Sequence, residues 1–210
     1  MIADLKRRVR AQYDQLAEAY DHRWDRYVRA SNGGTLERVR LRSGEQLLDV
    51  GCGTGALLAR LAERQPAAKL VGIDLSPAMA AQARARLPRT VHVTAGDAEL
   101  LPFPAQSFDV VVSASSFHYW PTPARGLEEL RRVLRPGGRL VLTDWCDEYL
   151  ACRVCDRLLR WVDPAHRRIY GRRECGALLR AAHYDVTELE RYRISWLWGL
   201  MTASARRPAA

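Results

Sequence analysis

Lysine is almost missing from this chain: among 33 basic residues only Lys6 and Lys69 are lysines. The net charge of +9 is therefore carried by arginine, scattered along the whole length. Such a charge can serve nucleic acid or an anionic membrane. Scattered among abundant Ala, Gly and Pro, it reads better as the GC-rich codon usage of a bacterial genome, and no nucleic-acid partner is expected. Long apolar runs are missing too. None approaches the roughly 20 residues that cross a bilayer, and Met1-Ile2-Ala3-Asp4-Leu5-Lys6 lacks the apolar centre of a secretion signal. Five cysteines, an odd number without a metal-site spacing, fit free thiols in a reducing cytoplasm better than a disulfide framework. Internal repeats and low-complexity segments are lacking as well. What remains is an ordinary globular composition, 48% hydrophobic and 27% charged, at a length that suits one domain over 1–210.

The sequence is organised around Leu47-Leu48-Asp49-Val50-Gly51-Cys52-Gly53-Thr54-Gly55-Ala56, followed by Leu57, Leu58 and Leu61. It reads as a short buried strand, a glycine turn and a helix. The glycines allow positive φ and let a ligand approach without meeting a Cβ. By itself Gly51-x-Gly53-x-x-Ala56 also fits a loose dinucleotide fingerprint, or a strand–turn–helix with no ligand at all. Two acids sharpen the reading. Asp74 closes the run Leu70-Val71-Gly72-Ile73, where a carboxylate would hold ribose hydroxyls. Asp49 lies two residues before the first glycine, where its charge would repel a pyrophosphate and suit an ammonium or sulfonium. A cationic nucleoside fits this pair better than NAD.

On these residues the chain resembles the class I S-adenosylmethionine (SAM)-dependent methyltransferases, over about Tyr13 to Gly138. It is closest in kind to the small-molecule type, similar to quinone-biosynthesis methyltransferases. The resemblance implies a Rossmann-like α/β fold, doubly wound, with a mostly parallel seven-stranded sheet, an antiparallel last strand and a helical N-terminal lid. It also implies SAM as cofactor and S-adenosylhomocysteine as product. In that family Gly51, Cys52, Gly53 and Gly55 would pass the methionine part of SAM. Asp74 and Leu75 would meet the ribose, and Gly96, Asp97 and Ala98 the adenine. Tyr13 and Tyr20, ahead of the core, would touch the cofactor, and Met79 and Ser113 complete the expected set. The piece Leu134-Arg135-Pro136-Gly137-Gly138 is the most family-specific after the glycine loop.

Taken in order, Ile2, Leu5, Val9, Tyr13, Leu16, Tyr20, Trp24 and Tyr27 predict one helix over 2–28. It serves as plain packing or as a lid, and its basic start could also rest on anionic lipid. Ser31-Asn32-Gly33-Gly34 should break it, giving a lid segment 1–34. A cofactor-binding core follows over 45–144. Its first helix runs to about Arg64, and a strand then ends at Asp74. Ser76-Pro77 opens a helix to Leu87, and a third strand covers 90–94. Phe108 to Ala114 is a buried strand, and Thr122-Pro123 opens a helix with Leu127, Leu130, Val133 and Leu134 inward. The Leu-Arg-Pro-Gly-Gly piece then turns the chain into a strand over 139–143. Residues 145–170 should form a helical cap, with Leu150, Val154, Leu158 and Trp161 on one side. Residues 171–210 give a last crossover helix (174–182) and a closing antiparallel pair (184–194, 196–206).

Open α/β sheets bind ligands at the carboxyl ends of their strands, so Ser113 to Trp120 is the expected reaction face. His118 is the candidate base, because an imidazole titrates near neutrality, and Tyr119 is the reserve. A histidine that only packs or positions SAM is the alternative. Trp24, Tyr27, Tyr119, Trp120, Trp145, Tyr149 and Trp161 would roof the pocket, which suits a flat or apolar small molecule. The Asn/Asp-Pro-Pro-aromatic motif that positions a base or amide nitrogen is missing after this strand, which argues against DNA or protein-glutamine methylation. Cys146, Cys152 and Cys155 could capture a soft substrate such as arsenite, though buried packing explains them more simply. No metal site is expected, and the sequence leaves the oligomeric state open. Methyl transfer to a small molecule leads, ahead of a non-catalytic SAM- or nucleoside-binding protein and an NAD-dependent oxidoreductase.

Overall fold

A computed structural model describes residues 2–163 and 165–209. Seven strands form one sheet in the order β3-β2-β1-β4-β5-β7-β6. The parallel part contains β1 (Gln46–Val50), β2 (Lys69–Asp74), β3 (His92–Ala95), β4 (Phe108–Ala114) and β5 (Leu134–Trp145). Its register is fixed by pairs such as Leu48↔Val71, Leu48↔Val111 and Val111↔Leu140. β7 (Gly199–Arg206) slots in antiparallel to β5, and β6 (Asp185–Arg193) pairs antiparallel with β7 at the edge. The expected fold class is what the chain adopts.

Strand periodicity divides the core. Leu47, Val110, Val112 and Val141 point to one face, where α3 (Ala56–Arg64) brings Leu57, Leu58 and Leu61. Leu48, Val111, Leu140 and Leu142 point to the other, against Leu127, Leu130 and Val133 of α5 (Pro123–Val133) and Leu179 of α7 (Arg172–Ala181). α4 (Pro77–Arg86) begins as the sequence indicates: Ser76 Oγ accepts the Met79 N–H at 3.1 Å, with proline in the first turn.

Three expectations need correction. The N-terminal helix is two helices, α1 (Ile2–Leu16) and α2 (Tyr20–Val39). A straight rod over the same span would reach about 57 Å, whereas the bend at 17–19 lets α1 meet α4 and α2 meet β4 and β5. Ser31-Asn32-Gly33-Gly34 does not break α2. Those residues sit inside it, with Ser31, Asn32 and Thr35 buried, because Gly34 packs its bare Cα against the Tyr192 ring, where a Cβ would collide. Leu134-Arg135-Pro136-Gly137-Gly138 is not a separate turn before β5 but a bulge within it. The ladder jumps from Phe108↔Leu134 to Val110↔Arg139, and Gly137 absorbs a φ of 75°.

No helix among the described residues is long and apolar enough to cross a membrane.

Candidate cofactor and active site

The chain runs outward from β1 to β3, then returns to β4 on the other side of β1. That reversal opens a crevice at the strand ends, the usual ligand position in such sheets. The crevice holds a cavity of about 790 Å³ of atom-free space, counting its open mouth. Its floor is the glycine loop. Gly51 carries a φ of 76°, and a Cβ there would strike Ser116 across the β1–β4 gap. Gly53, at φ 54°, has nothing within 4 Å of where a Cβ would sit, so its backbone is bare toward any ligand.

Two acids flank this loop, as the sequence suggests. Asp74 accepts the Gly53 N–H at 2.8 Å and the Ser76 N–H at 2.9 Å, which ties the loop to the start of α4. Burial nonetheless raises its pKa to about 6. Asp49 is buried, and no described residue donates a hydrogen bond to it. Burial and the nearby Asp74 charge lift it to about 8. A buried carboxylate without a partner is costly, and a cation placed beside it would relieve that cost. This is the chemistry of an ammonium or sulfonium ligand, so the residues present fit SAM.

The third wall comes from Gly96, Asp97 and Ala98, with Leu75 and Met79 on the α4 side. Asp97 turns its own loop by accepting the Glu99 N–H at 2.9 Å. Lys6 reaches down from α1 to Asp97 at 2.6 Å and Glu99 at 2.7 Å, so one of the two lysines pins the lid over this wall. Lys6 and Glu99 were not singled out by the sequence. The rarity of lysine was the only available signal.

Other polar contacts hold the lid. Asp14 Oδ1 accepts the Ser76 hydroxyl at 2.5 Å, Asp21 Oδ1 accepts the Thr54 hydroxyl at 2.7 Å, and Tyr27 Oη lies 2.6 Å from Ser115 Oγ. Tyr13 and Tyr20 project onto the cavity, and Tyr13 meets both Tyr20 at 6.0 Å and Tyr119, edge to face, at 5.4 Å. Burial raises all three phenols, Tyr119 to about 12, so each keeps its proton at neutral pH and none serves readily as a base.

Cys52 lines the adjoining recess with Asp49. Gly55 and Ser113 do not reach the cavity. Gly55 takes φ 77° to pack on Leu87 and Ala83, and Ser113 Oγ lies 2.9 Å from Ser116 Oγ behind the wall.

His118 packs on the Tyr119 ring, centroids 4.1 Å apart, is 4% exposed and does not line the cavity. Its Nδ1 is 2.7 Å from Asp144 Oδ1, and its backbone N–H donates to Asp144 Oδ2 at 3.0 Å. With Nδ1–H donating to the carboxylate, Nε2 is left as the acceptor. Asp144, at the end of β5, escaped the sequence reading, although the strand-end rule points to it. A second such pair stands opposite. His166 Nε2 is 2.9 Å from Asp156 Oδ1, on α6 (Leu150–Val162), and the two imidazoles are 5.8 Å apart. Burial and the neighbouring His118 lower the His166 pKa, which keeps that ring neutral.

Aromatic residues surround the dyads. Trp145 stacks on His118 at 5.5 Å, donates Nε1–H to Tyr27 Oη at 2.6 Å, and meets Trp198. Trp24 joins through Tyr27 and Trp198. The expected roof needs correction elsewhere. Trp120 lines the cavity while packing against Phe117 of the core, whereas Trp161 is 91% exposed on the outside of α6 and takes no part in the roof. Leu150, Val154 and Leu158 share that outer side.

The five cysteines are free thiols. Burial raises Cys146 to about 11 and also raises Cys152, whose sulfur accepts the Gly199 N–H at 3.2 Å. Cys146 and Cys152 are buried, and the Cys152 sulfur is held by the β6–β7 connection, which fits packing better than arsenite capture. Among the described residues no group of three His, Cys, Asp or Glu could hold a metal.

Comparison with known proteins agrees with this geometry. Residues 48–142 match the family described as "Methyltransferase domain". Nocamycin O-methyltransferase of Saccharothrix syringae is 41% identical over 136 residues, covering 62% of this chain and 49% of that protein. Demethylmenaquinone methyltransferase of Beutenbergia cavernae is 37% identical over 145 residues, covering 69% and 56%. The chain spans about half the length of the curated relatives it matches. Among solved structures, the putative methyltransferase complexed with the Haloferax volcanii Trm112 activator superposes with a TM-score of 0.82 at 23% identity, over 93% of this chain and 97% of that one. The domain match over residues 48–142, the fold and a strand-end pocket with an unpartnered acid together show a class I S-adenosylmethionine-dependent methyltransferase domain in this stretch of the chain.

Proposed function

We propose that this chain transfers a methyl group from SAM to a small aromatic or apolar metabolite by direct in-line displacement. The observation that carries the reading is Asp49: a buried, unpartnered carboxylate beside the glycine loop, next to a second acid at the ribose position. An NAD pyrophosphate would meet like charge there. When bound, SAM would supply a methyl on a sulfonium sulfur, with the neutral thioether of S-adenosylhomocysteine as the leaving group.

The chain's own residues do the rest. Asp49 balances the ligand's positive charge, and Asp74 holds the ribose hydroxyls with lone pairs left over from its two N–H contacts. Asp97 and Ala98 face the adenine. Tyr13, Tyr20 and Tyr119 exclude water above the cavity. His118 Nε2 accepts the proton of a hydroxyl or amine acceptor, and Asp144 stabilises the imidazolium that forms. For that transfer the buried His118 must become accessible to the acceptor, since the neighbouring Tyr119 lines the cavity and His118 does not. The aromatic group Trp24, Tyr27, Trp145 and Trp198 favours a flat or apolar acceptor. A single domain acting in the cytoplasm is part of the same proposal.

A second reading is a SAM-binding protein without catalysis, favoured by the burial of His118 away from the cavity. Transfer of labelled methyl from SAM to a panel of phenols, quinols and amines separates the two. Product with any acceptor supports the enzyme. Tight SAM binding with no product across the panel, and none with cell-extract metabolites, supports the binding protein.

A further inference from the structure

Helix α6 presents its apolar side to solvent. Leu150, Val154, Leu158, Trp161 and Val162 are 50–91% exposed. At 100° per residue these positions lie within an arc of about 120°, so they form one stripe. The opposite side of the helix, Cys152 and Asp156, is the side that packs on the fold. Arg153 and Arg157 border the stripe along one edge, both exposed and without an ion pair among the described residues. Close to the start of α6, the loop between β6 and β7 exposes Trp196 at 81%. Cys152 Sγ ties this loop to the helix through Leu197 O at 3.6 Å and Gly199 N–H at 3.2 Å. Arg193 adds a further exposed guanidinium there, over the Tyr149 ring.

We infer that α6 and the β6–β7 loop dock on an anionic phospholipid surface. Apolar side chains exposed singly are ordinary, but a continuous stripe ending in tryptophan is not. A helix with leucine and tryptophan along one side and arginine beside it lies in a bilayer interface, its apolar side in the acyl boundary and its guanidiniums at the phosphates. The net charge of +9 complements such a surface, whereas a second copy of this chain would bring the same arginines face to face.

The N-terminal helix, by contrast, has a carboxylate partner beside each of its cations, with Arg7 and Arg8 sharing one. Arg7 and Arg8 pair with Asp4, Arg10 with Asp14, and Lys6 with Asp97 and Glu99. The docking helix is also the one whose inner side carries Asp156, the partner of His166 beside His118. A lipid-borne acceptor would therefore arrive at the side of the fold where the dyads stand. The docking itself does not depend on the proposed methyl transfer.

Flotation with vesicles tests it. The intact chain should float with vesicles of phosphatidylcholine containing 30% phosphatidylglycerol, about tenfold more than with phosphatidylcholine alone, and lose that excess at high salt. Leu158→Glu/Trp161→Glu, both at exposed positions, should cut the bound fraction at least tenfold while SAM affinity stays at the parent value, which reports an intact fold. Arg153→Glu/Arg157→Glu should act in the same direction. Equal binding of parent and variants, or binding that survives these changes and is lost on reversing Arg7 and Arg8, would overturn the assignment. So would absent vesicle binding together with a dimer in sedimentation that the Leu158/Trp161 variant dissociates.

Discussion

His118 and Asp144 are joined twice: the imidazole Nδ1 lies 2.7 Å from Oδ1, and the His118 backbone N–H reaches Oδ2 at 3.0 Å. One carboxylate at the end of β5 thus fixes both the ring and the backbone of the turn after β4. The tautomer this selects leaves Nε2 as the only proton acceptor on the ring.

The first expectation follows from that bond. His118→Ala should lower turnover by roughly 10²–10⁴ with SAM affinity nearly unchanged, if Nε2 takes the acceptor's proton. Asp144→Asn should give a similar loss, because an amide no longer stabilises the imidazolium. The loss should shrink for acceptors of low pKa, which need no base. A uniform modest loss across acceptors, read from steady-state kinetics on a pKa series, would make His118 a positioning residue.

The second concerns pH. An ordinary carboxyl titrates near about 4, while Asp49 sits at about 8 and Asp74 at about 6. Between those limits the folded chain holds protons that the unfolded chain has released. Stability of the ligand-free protein should therefore fall as pH rises from about 4 through 8. A cationic ligand works the other way, since it binds the ionised acids. SAM affinity should rise over pH 6–9, and binding at pH 7 should release protons, visible in calorimetry as a heat that depends on the buffer's ionisation enthalpy. Asp49→Asn should abolish most of that release.

The third tests the lid. Removing residues 1–16 deletes α1 but leaves α2, which packs on β4 and β5. The shortened chain should fold, bind SAM more weakly through loss of the Tyr13 and Asp14 contacts, and turn over slowly. Full turnover by the truncated protein would remove α1 from the site.

The fourth concerns the packing of α2. Gly34→Ala places a methyl into the Tyr192 ring and should cost about 1–3 kcal/mol. Tyr192→Leu in the same background should recover part of it, and thermal unfolding of the four proteins of that cycle measures the coupling.

Much of this was legible because local chemistry and tertiary demand agree there. β4 was read to the residue, and the Ser76-Pro77 start of α4 and the acids at Asp49 and Asp74 needed only strand ends and glycines to be seen. The bend after Leu16 was not legible, since the apolar spacing runs through it and only packing on two different elements breaks the helix. Gly33-Gly34 misled because glycine signals freedom, whereas at Gly34 it provides room for Tyr192. The apolar side of α6 misled in another way: periodicity finds a stripe but does not say which way it faces. The second dyad joins Asp156 to His166 across a change of chain direction, a pairing that spacing alone does not reveal.

The central claim is that the strand-end pocket is a SAM site built on Asp49 and Asp74. Titration calorimetry of SAM into the parent protein, Asp74→Ala and Asp74→Asn tests it most directly, with NAD as the control ligand. Charge-assisted bonds to the ribose contribute on the order of 1.5–3 kcal/mol each. The account predicts saturable SAM binding to the parent, a loss of at least tenfold in both variants with the fold retained, and no saturable NAD binding. Undiminished SAM affinity in a folded Asp74→Ala protein, or NAD binding as tight as SAM, would contradict it.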